Sequence, residues 1–345
     1  TLVNNWLASA TATDGCDVSV TITNNYNGVL PALSCDLSTG KVVTFTATDD
    51  CGNTATCTAT IYVDDSTVPM ITCPANLVLE CGNANNTTLV NNWLASATAT
   101  DGCDVSVAIT NNYDGMLPAL SCDLSAGKVV TFTATDDCGN TATCTATIYV
   151  DDSTVPMITC PSNLVLECGN ANNTTLVNNW LASATATDGC DASVTITNNY
   201  DNMLPALSCD QSAGKVVTFT ATDDCGNTAT CTATIYVDDS TVPMITCPAN
   251  LVLECGNANN TTLVNNWLAS ATATDGCDVS VAITNNYDGM LPALSCDLSA
   301  GKVVTFTATD DCGNTATCTA TIYVDDSTVP MITCPSNLVL ECGNA

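Results

Sequence analysis

Residues 128–150 read KVVTFTATDDCGNTATCTATIYV. The first eight alternate Val130, Phe132 and Ala134 against Val129, Thr131 and Thr133, the period-two pattern of a half-buried strand. From Thr141 the alternation resumes, with Cys144, Ala146, Ile148 and Val150 on one face and Thr143, Thr145, Thr147 and Tyr149 on the other. The five residues between, Asp136-Asp137-Cys138-Gly139-Asn140, are turn formers, so the stretch predicts a β-hairpin with one apolar face. A lone hairpin is marginal in water, and this one needs partners. Outward from it, short strands are expected over Met157–Thr159, Leu164–Glu167 and Val105–Thr110. One helical turn is expected at Thr88–Leu94, where Leu89, Val90, Trp93 and Leu94 share a face. The chain is therefore expected to be all-β.

The hairpin recurs. The string TLVNNWLASATATDGCD starts at Thr1, Thr88, Thr175 and Thr262, a step of 88 − 1 = 87 residues, and the 345 residues stop three short of a fifth start. That period exceeds a solenoid turn and suits a small β-sandwich that folds alone, so separately folded modules are expected.

Composition bounds the setting. Twenty-four cysteines fall six to a repeat, and in one frame they are Cys73, Cys81, Cys103, Cys122, Cys138 and Cys144. Even spacing favours disulfides and an oxidising compartment. Zinc is the rival, but the chain has no histidine and no CxxC knuckle. Four Lys against 35 Asp and Glu give a formal charge of −31, which disfavours nucleic acid and anionic membranes as partners. No run approaches 18 apolar residues, so no membrane span is expected in this window; any signal or anchor is expected outside it.

Three pieces carry a family resemblance: DxxxPxIxCPxNLxxEC, then ATATDGCD, then VTFTATDDCGNTATCTATIYVDD. Together they resemble the hyalin repeat (HYR) module, and the extra cysteines resemble cysteine-rich tandem forms on secreted proteins of Bacteroidetes-type bacteria. The resemblance implies tandem immunoglobulin-like, fibronectin III-like β-sandwiches with three disulfides per module, and adhesion rather than catalysis. In that frame the seam lies near Asp64–Pro69. Modules then span 64–150, 151–237 and 238–324; residues 1–63 lack the lead strand of a module, and residues 325–345 carry one. The expected functions are a cell-surface filament grown head to tail by strand addition, or the stalk of an adhesin. Cys334, Cys342 and Cys57 are the interchain candidates. The partner is the chain itself, with glycans or cell-surface ligands as further candidates.

Six cysteines allow 15 pairings. Cys138 and Cys144 lie about 20 Å apart if the chain between them is extended, too far for a bridge. Cys73 and Cys144 both alternate inward, and their pairing agrees with the resemblance. Cys103 and Cys138 each follow an Ala-Thr-Asp run and are assigned together, which leaves Cys81 with Cys122.

No cofactor is required, and calcium is the one candidate. Its expected ligands are Asp101 and Asp104, Asp136 and Asp137, and, best placed of the three, the junction pair Asp151 and Asp152, although solvated turn carboxylates are the plainer account. Overlapping sequons mark Asn85 and Asn86, Asn172 and Asn173, and Asn259 and Asn260 for glycosylation, and Ser66 sits in an Asp-Ser-Thr acceptor pattern. Catalysis is not expected: no nucleophile has a base beside it, and Lys41, Lys128, Lys215 and Lys302 occupy one repeated strand position. Ice binding, suggested by the threonines of Thr141–Thr147, lacks the short repeat it needs.

Overall fold

The computed structural model describes residues 1–339. In chain order the first copy holds α1 (Leu2–Leu7), β1 (Thr21–Asn24), β2 (Lys41–Thr48) and β3 (Thr54–Ile61), a three-stranded antiparallel sheet under one short helix. The second copy adds β4 (Met70–Thr72), β5 (Leu77–Glu80), α2 (Asn86–Leu94), β6 (Thr98–Thr100), β7 (Ala108–Asn111), β8 (Lys128–Thr135) and β9 (Thr141–Asp151). The third repeats this as β10 (Met157–Thr159), β11 (Leu164–Glu167), α3 (Asn173–Leu181), β12 (Thr185–Thr187), β13 (Thr195–Asn198), β14 (Lys215–Thr222) and β15 (Thr228–Asp238). The fourth does so as β16 (Met244–Thr246), β17 (Leu251–Glu254), α4 (Asn260–Leu268), β18 (Thr272–Thr274), β19 (Ala282–Asn285), β20 (Lys302–Thr309) and β21 (Thr315–Asp325). The chain divides into two compact units, residues 1–154 with 189–192, and the remainder.

The complete module of the first unit shows how the hairpin finds its partners. β8 and β9 pair antiparallel with Phe132 opposite Cys144, the turn closing at Gly139, whose φ of +85° favours glycine. β7 joins the outer edge of β8, and β5 runs parallel to β9 with Leu77 opposite Ile148, giving the order β5-β9-β8-β7. β4 and β6 form the facing pair, Ile71 opposite Ala99. Inward residues of the hairpin then close the core: Val130, Phe132, Ala146, Ile148 and Val150 pack with Leu79, Val90 and Trp93. The fold is thus a tandem of immunoglobulin-like β-sandwich modules, each complete one carrying a nine-residue helix.

The helix is longer than expected and begins at Asn86. Its Trp93 meets Phe132 edge-on at 5.4 Å between centroids, and its indole N–H donates to the Ala75 carbonyl at 2.7 Å. An aromatic pair of this kind adds about 0.5–1.5 kcal/mol beyond its buried area. The strand expected at Val105–Thr110 forms only at Ala108–Asn111; before it, Asp101 accepts from Cys103 N in a tight turn and Asp104 accepts from Asp137 N.

Disulfides overturn the picture of separately closed modules. Cys73 bonds to Cys144 with Cα atoms 5.9 Å apart, tying β4 to β9 inside one module. The copies Cys160–Cys231 and Cys247–Cys318 do the same. The other two assigned pairings are wrong. Cys138 bonds not to Cys103 but to Cys35 of the preceding copy, at 5.1 Å between Cα atoms. Cys81 bonds not to Cys122 but to Cys190 of the following copy, at 5.8 Å. The second unit repeats both links as Cys209–Cys312 and Cys168–Cys277. Cys122 is itself disulfide-bonded. The reason is geometric: each cysteine of these two types sits at an end of its module, where the nearest sulfur belongs to the neighbour.

Candidate functional site at the module junction

Within each unit, the junction is built from the end of one module and two loops of the next. After β9 the chain leaves through Asp151–Thr154. Glu80, at the end of β5, accepts from the Ser153 backbone N–H at 2.9 Å and its hydroxyl at 2.8 Å, and Cys81 N–H donates to Asp151 O at 2.7 Å. Glu167 holds Ser240 in the same way, and Glu254 holds Ser327. Glu80 was unassigned from sequence; its position one residue before Cys81 at a strand end was the available signal.

Asp65 occupies the corresponding linker after the first copy and is only 5% exposed. One carboxylate oxygen accepts from the Thr67 amide and hydroxyl, which hold its carboxyl below the usual carboxylate range. The other oxygen, Oδ2, has no N–H or O–H donor, and the Cys103 thiol is the hydrogen-bonding neighbour of the carboxyl. Around it the next module brings Asp101 and Cys103 from the loop after β6, and Asp104 with Asp136. Ligand atoms of Asp65, Asp104 and Asp136 lie within 4.8 Å of one another, and so do those of Asp65, Asp101 and Cys103.

Local hydrogen bonds fix each of these groups. Asp101 Oδ1 accepts from Cys103 N at 2.8 Å, and Asp104 Oδ2 from Asp137 N at 3.0 Å. Asp136, itself 6% exposed, accepts from Asn140 N at 2.7 Å and Asn140 Nδ2 at 2.8 Å. The same Asn140 amide donates across the junction to Asp65 O at 3.0 Å. Asp65, beside the Cys103 thiol, pushes that thiol upward, away from a thiolate. The cluster repeats in the second unit, where Asp239, 4% exposed with its Oδ2 also free of donors, groups with Asp275 and Cys277, and Asn314 Nδ2 donates to Asp239 O at 3.0 Å.

Of the six carboxylates singled out from sequence, Asp101, Asp104 and Asp136 thus converge, and their junction partner is Asp65, the counterpart of Asp152. Asp137 enters through its backbone N–H, and the Asp151 carboxylate accepts from the Asp152 amide. The sequons divide. Asn85, Asn172 and Asn259 are exposed, as is Ser66. Asn86, Asn173 and Asn260 are corrected: each is buried, with its amide nitrogen donating to the carbonyl of Glu80, Glu167 or Glu254, so it is not an accessible acceptor in the folded chain.

A second feature lies in the first copy. Cys57, Phe45, Ala47, Ala55, Ile22 and Ala12 line an open groove. These positions match those that receive β4 in the second copy, and Cys57, the equivalent of Cys144, is exposed and unbonded. Cys334 is likewise exposed and unbonded; Cys342 lies outside the described residues.

No protein-family model matches the chain. Among curated proteins, hyalin of Strongylocentrotus purpuratus is 32% identical over 98% of this chain and 27% of its own length. Hyalin of Lytechinus variegatus is 30% identical over 86% of this chain and 55% of its own length. The chain therefore spans about a quarter to about half of the relatives it matches. Among solved structures, a protocadherin gammaB7 fragment aligns at TM-score 0.33 and 14% identity, covering 88% of this chain and 93% of its own. Three titin immunoglobulin domains align at TM-score 0.29 and 10% identity, covering 76% and 100%. The disulfide framework fits an extracellular or cell-surface location, and among the described residues no helix is long and apolar enough to cross a membrane. Over nearly its whole length the chain is similar to the hyalins of two sea urchins, which supports a hyalin-repeat family for it.

Proposed function

We propose that this chain is a stretch of an extracellular structural rod, adhesive in setting, whose modules are covalently bound to their neighbours. The disulfides that cross module boundaries carry this reading: Cys35–Cys138 and Cys81–Cys190 in one unit, Cys168–Cys277 and Cys209–Cys312 in the other. Bonds that join neighbours rather than close a module stiffen an array, a mechanical role rather than a catalytic one.

The finer form of the reading is head-to-tail assembly by strand addition. Support comes from how a lead segment pairs within each module: β4 lies on β6 and is tied through Cys73 to Cys144 of β9. The same contact made between two copies would be heterologous, and a contact of that kind generates fibres when it does not close.

Electron microscopy of the purified protein tests the first reading: straight rods support it, and flexible strings of separately moving modules overturn it. Nonreducing gels test the second. A ladder of multimers that collapses on reduction and is absent in Cys57→Ser supports it. Monomers alone refute self-assembly and favour the adhesin stalk.

A further inference from the structure

In α2, Thr87, Val90 and Asn91 stand at i, i+3 and i+4, so they share one side of the helix. Val90 is 2% exposed and makes the floor of that side, while Thr87 and Asn91 are exposed at its rim. Opposite them the connection after β7 brings Tyr113, Gly115 and Leu117, and the two sides enclose a recess of about 140 Å³. The third copy builds the same recess from Thr174, Val177, Asn178, Tyr200, Asn202 and Leu204, at about 80 Å³. The fourth copy carries the same residue types at Thr261, Val264, Asn265 and Tyr287.

The loop side of the recess is braced by the chain itself. Gly115 turns it at a φ of +83°, and Asp114 Oδ1 accepts from Met116 N at 2.9 Å. Lys128 pairs with Asp114, donates to Met116 O at 3.0 Å and lies 5.5 Å from the centre of the Tyr113 ring. The chain has four Lys, and all four are engaged in this way: Lys41 over Tyr26, Lys215 over Tyr200 and Lys302 over Tyr287, each also donating to a carbonyl of the same loop. A recess fixed in advance spares a ligand the cost of ordering it.

The geometry points to a saccharide-binding recess between the helix and the Tyr113 loop, taking one ring of a neutral glycan. The lining decides the class. It includes no charged side chain, and a chain of net charge −31 repels anionic ligands. The Asn91 carboxamide and the Thr87 hydroxyl each donate and accept, and among the described residues neither side chain has a partner within the chain. Across from them stands a tyrosine, apolar in its body and polar at its tip. A sugar ring has the matching character, with a face of C–H groups and an edge of hydroxyls. Size sets the length admitted: about 140 Å³ is well below the ~300–1,000 Å³ of pockets for drug-sized ligands, so one ring enters and the rest of the glycan runs outside. In the third copy Asn202 stands in place of Gly115, at a φ of +64°, and adds a carboxamide that narrows what this copy admits. Single-ring contacts are weak, and repetition along one chain strengthens them by avidity. The recess is complete within one module, so it depends neither on a rod nor on strand addition.

An array of neutral and anionic oligosaccharides, probed with the labelled full chain, tests the assignment. The expected result is retention on a set of neutral glycans, with sialylated, uronic and sulfated glycans at least tenfold weaker. Asn91→Ala combined with Asn178→Ala and Asn265→Ala removes one exposed carboxamide per recess and should weaken that retention by at least tenfold. If this triple variant misfolds by circular dichroism, Leu117→Glu with Leu204→Glu and Leu291→Glu replaces it; each of these leucines is 41% exposed, and a carboxylate there should cause a similar loss. Absence of retention on neutral glycans overturns the proposal. So does undiminished retention by the folded variant, or retention on anionic glycans as strong as on neutral ones. Straight rods in the microscope would stand under each of these outcomes, so failure here is distinct from failure of the structural reading.

Discussion

The first and second copies contain nearly the same sequence in two states of completion. In the second, Ala134 and Ile148 are fully buried and Ala146 and Val150 nearly so. In the first, the equivalents Ala47, Ile61 and Val63 are half-buried and Ala59 is exposed, although β2 and β3 pair in the same register as β8 and β9. Backbone pairing is thus a property of the hairpin itself, whereas the core is a property of the hairpin plus its lead strand. A short segment, Met70–Thr72 with Cys73, together with Leu77–Glu80, makes the difference. A sheet can have every ladder bond and still lack the burial that stabilises it.

Hydrogen exchange puts this contrast to its strongest test. Thr39 stands where Ala126, Ala213 and Ala300 stand, so peptides spanning it have a distinct mass. The β2–β3 hairpin should exchange at least tenfold faster than the hairpins that follow those alanines, as mass spectrometry would read; equal protection would break the comparison. Core truncation comes next. Phe132→Ala, at a fully buried position, should cost its module about 3–5 kcal/mol, and Phe45→Ala beside the open groove should cost less, read as local opening energies by exchange. An equal loss would mean that the groove is closed in solution.

A smaller effect is expected from glycine. A Cβ on Gly127 would fall 2.4 Å from Thr147 Cγ2 and 2.5 Å from the Tyr149 ring, and one on Gly40 would meet Thr60 and Tyr62 similarly. Because Tyr62 is 45% exposed and free to swing, Gly127→Ala should cost about 1–3 kcal/mol and Gly40→Ala measurably less in the same exchange assay.

The smallest effect is common to both copies. Serine hydroxyls and amides hold Asp36, Asp123 and Asp210 below the ordinary carboxylate range, and Asp297 at about 2. Their folded values lie below the unfolded ones, so the stability they supply is complete above about pH 4 and is lost as pH falls through the folded values. The melting temperature of chelator-treated protein should be flat from pH 7 to 5 and should fall below about pH 4, which thermal scans would show. A decline already complete at pH 5 would contradict this.

Strand periodicity made the hairpin, its turn and its inward face legible, because a period of two leaves one choice of face once Phe132 and Ile148 are inside. The start of α2 was not legible: Asn86 enters the helix because its amide holds the Glu80 carbonyl, a contact without a periodic signature. The inter-module disulfides were hidden for a different reason. In identical repeats Cys138 recurs as Cys51, Cys225 and Cys312, so spacing cannot separate a bond within a copy from one to its neighbour. Only the approach of module ends decides. The converging carboxylates were half visible, since Asp-rich turns marked Asp101, Asp104 and Asp136, while the burial of Asp65 beside them exists only once the linker is folded.

The covalent rings closed by Cys35–Cys138 and Cys81–Cys190 overlap along the chain, as residues 81–138 belong to both. A single protease cut at the exposed Ser66 falls inside the first ring, and one at Ser153 inside the second. Neither severs the molecule. Within those rings the chain tolerates an isolated hydrolytic cut without losing length, and the cut ends come apart where a reductant reaches the sulfurs.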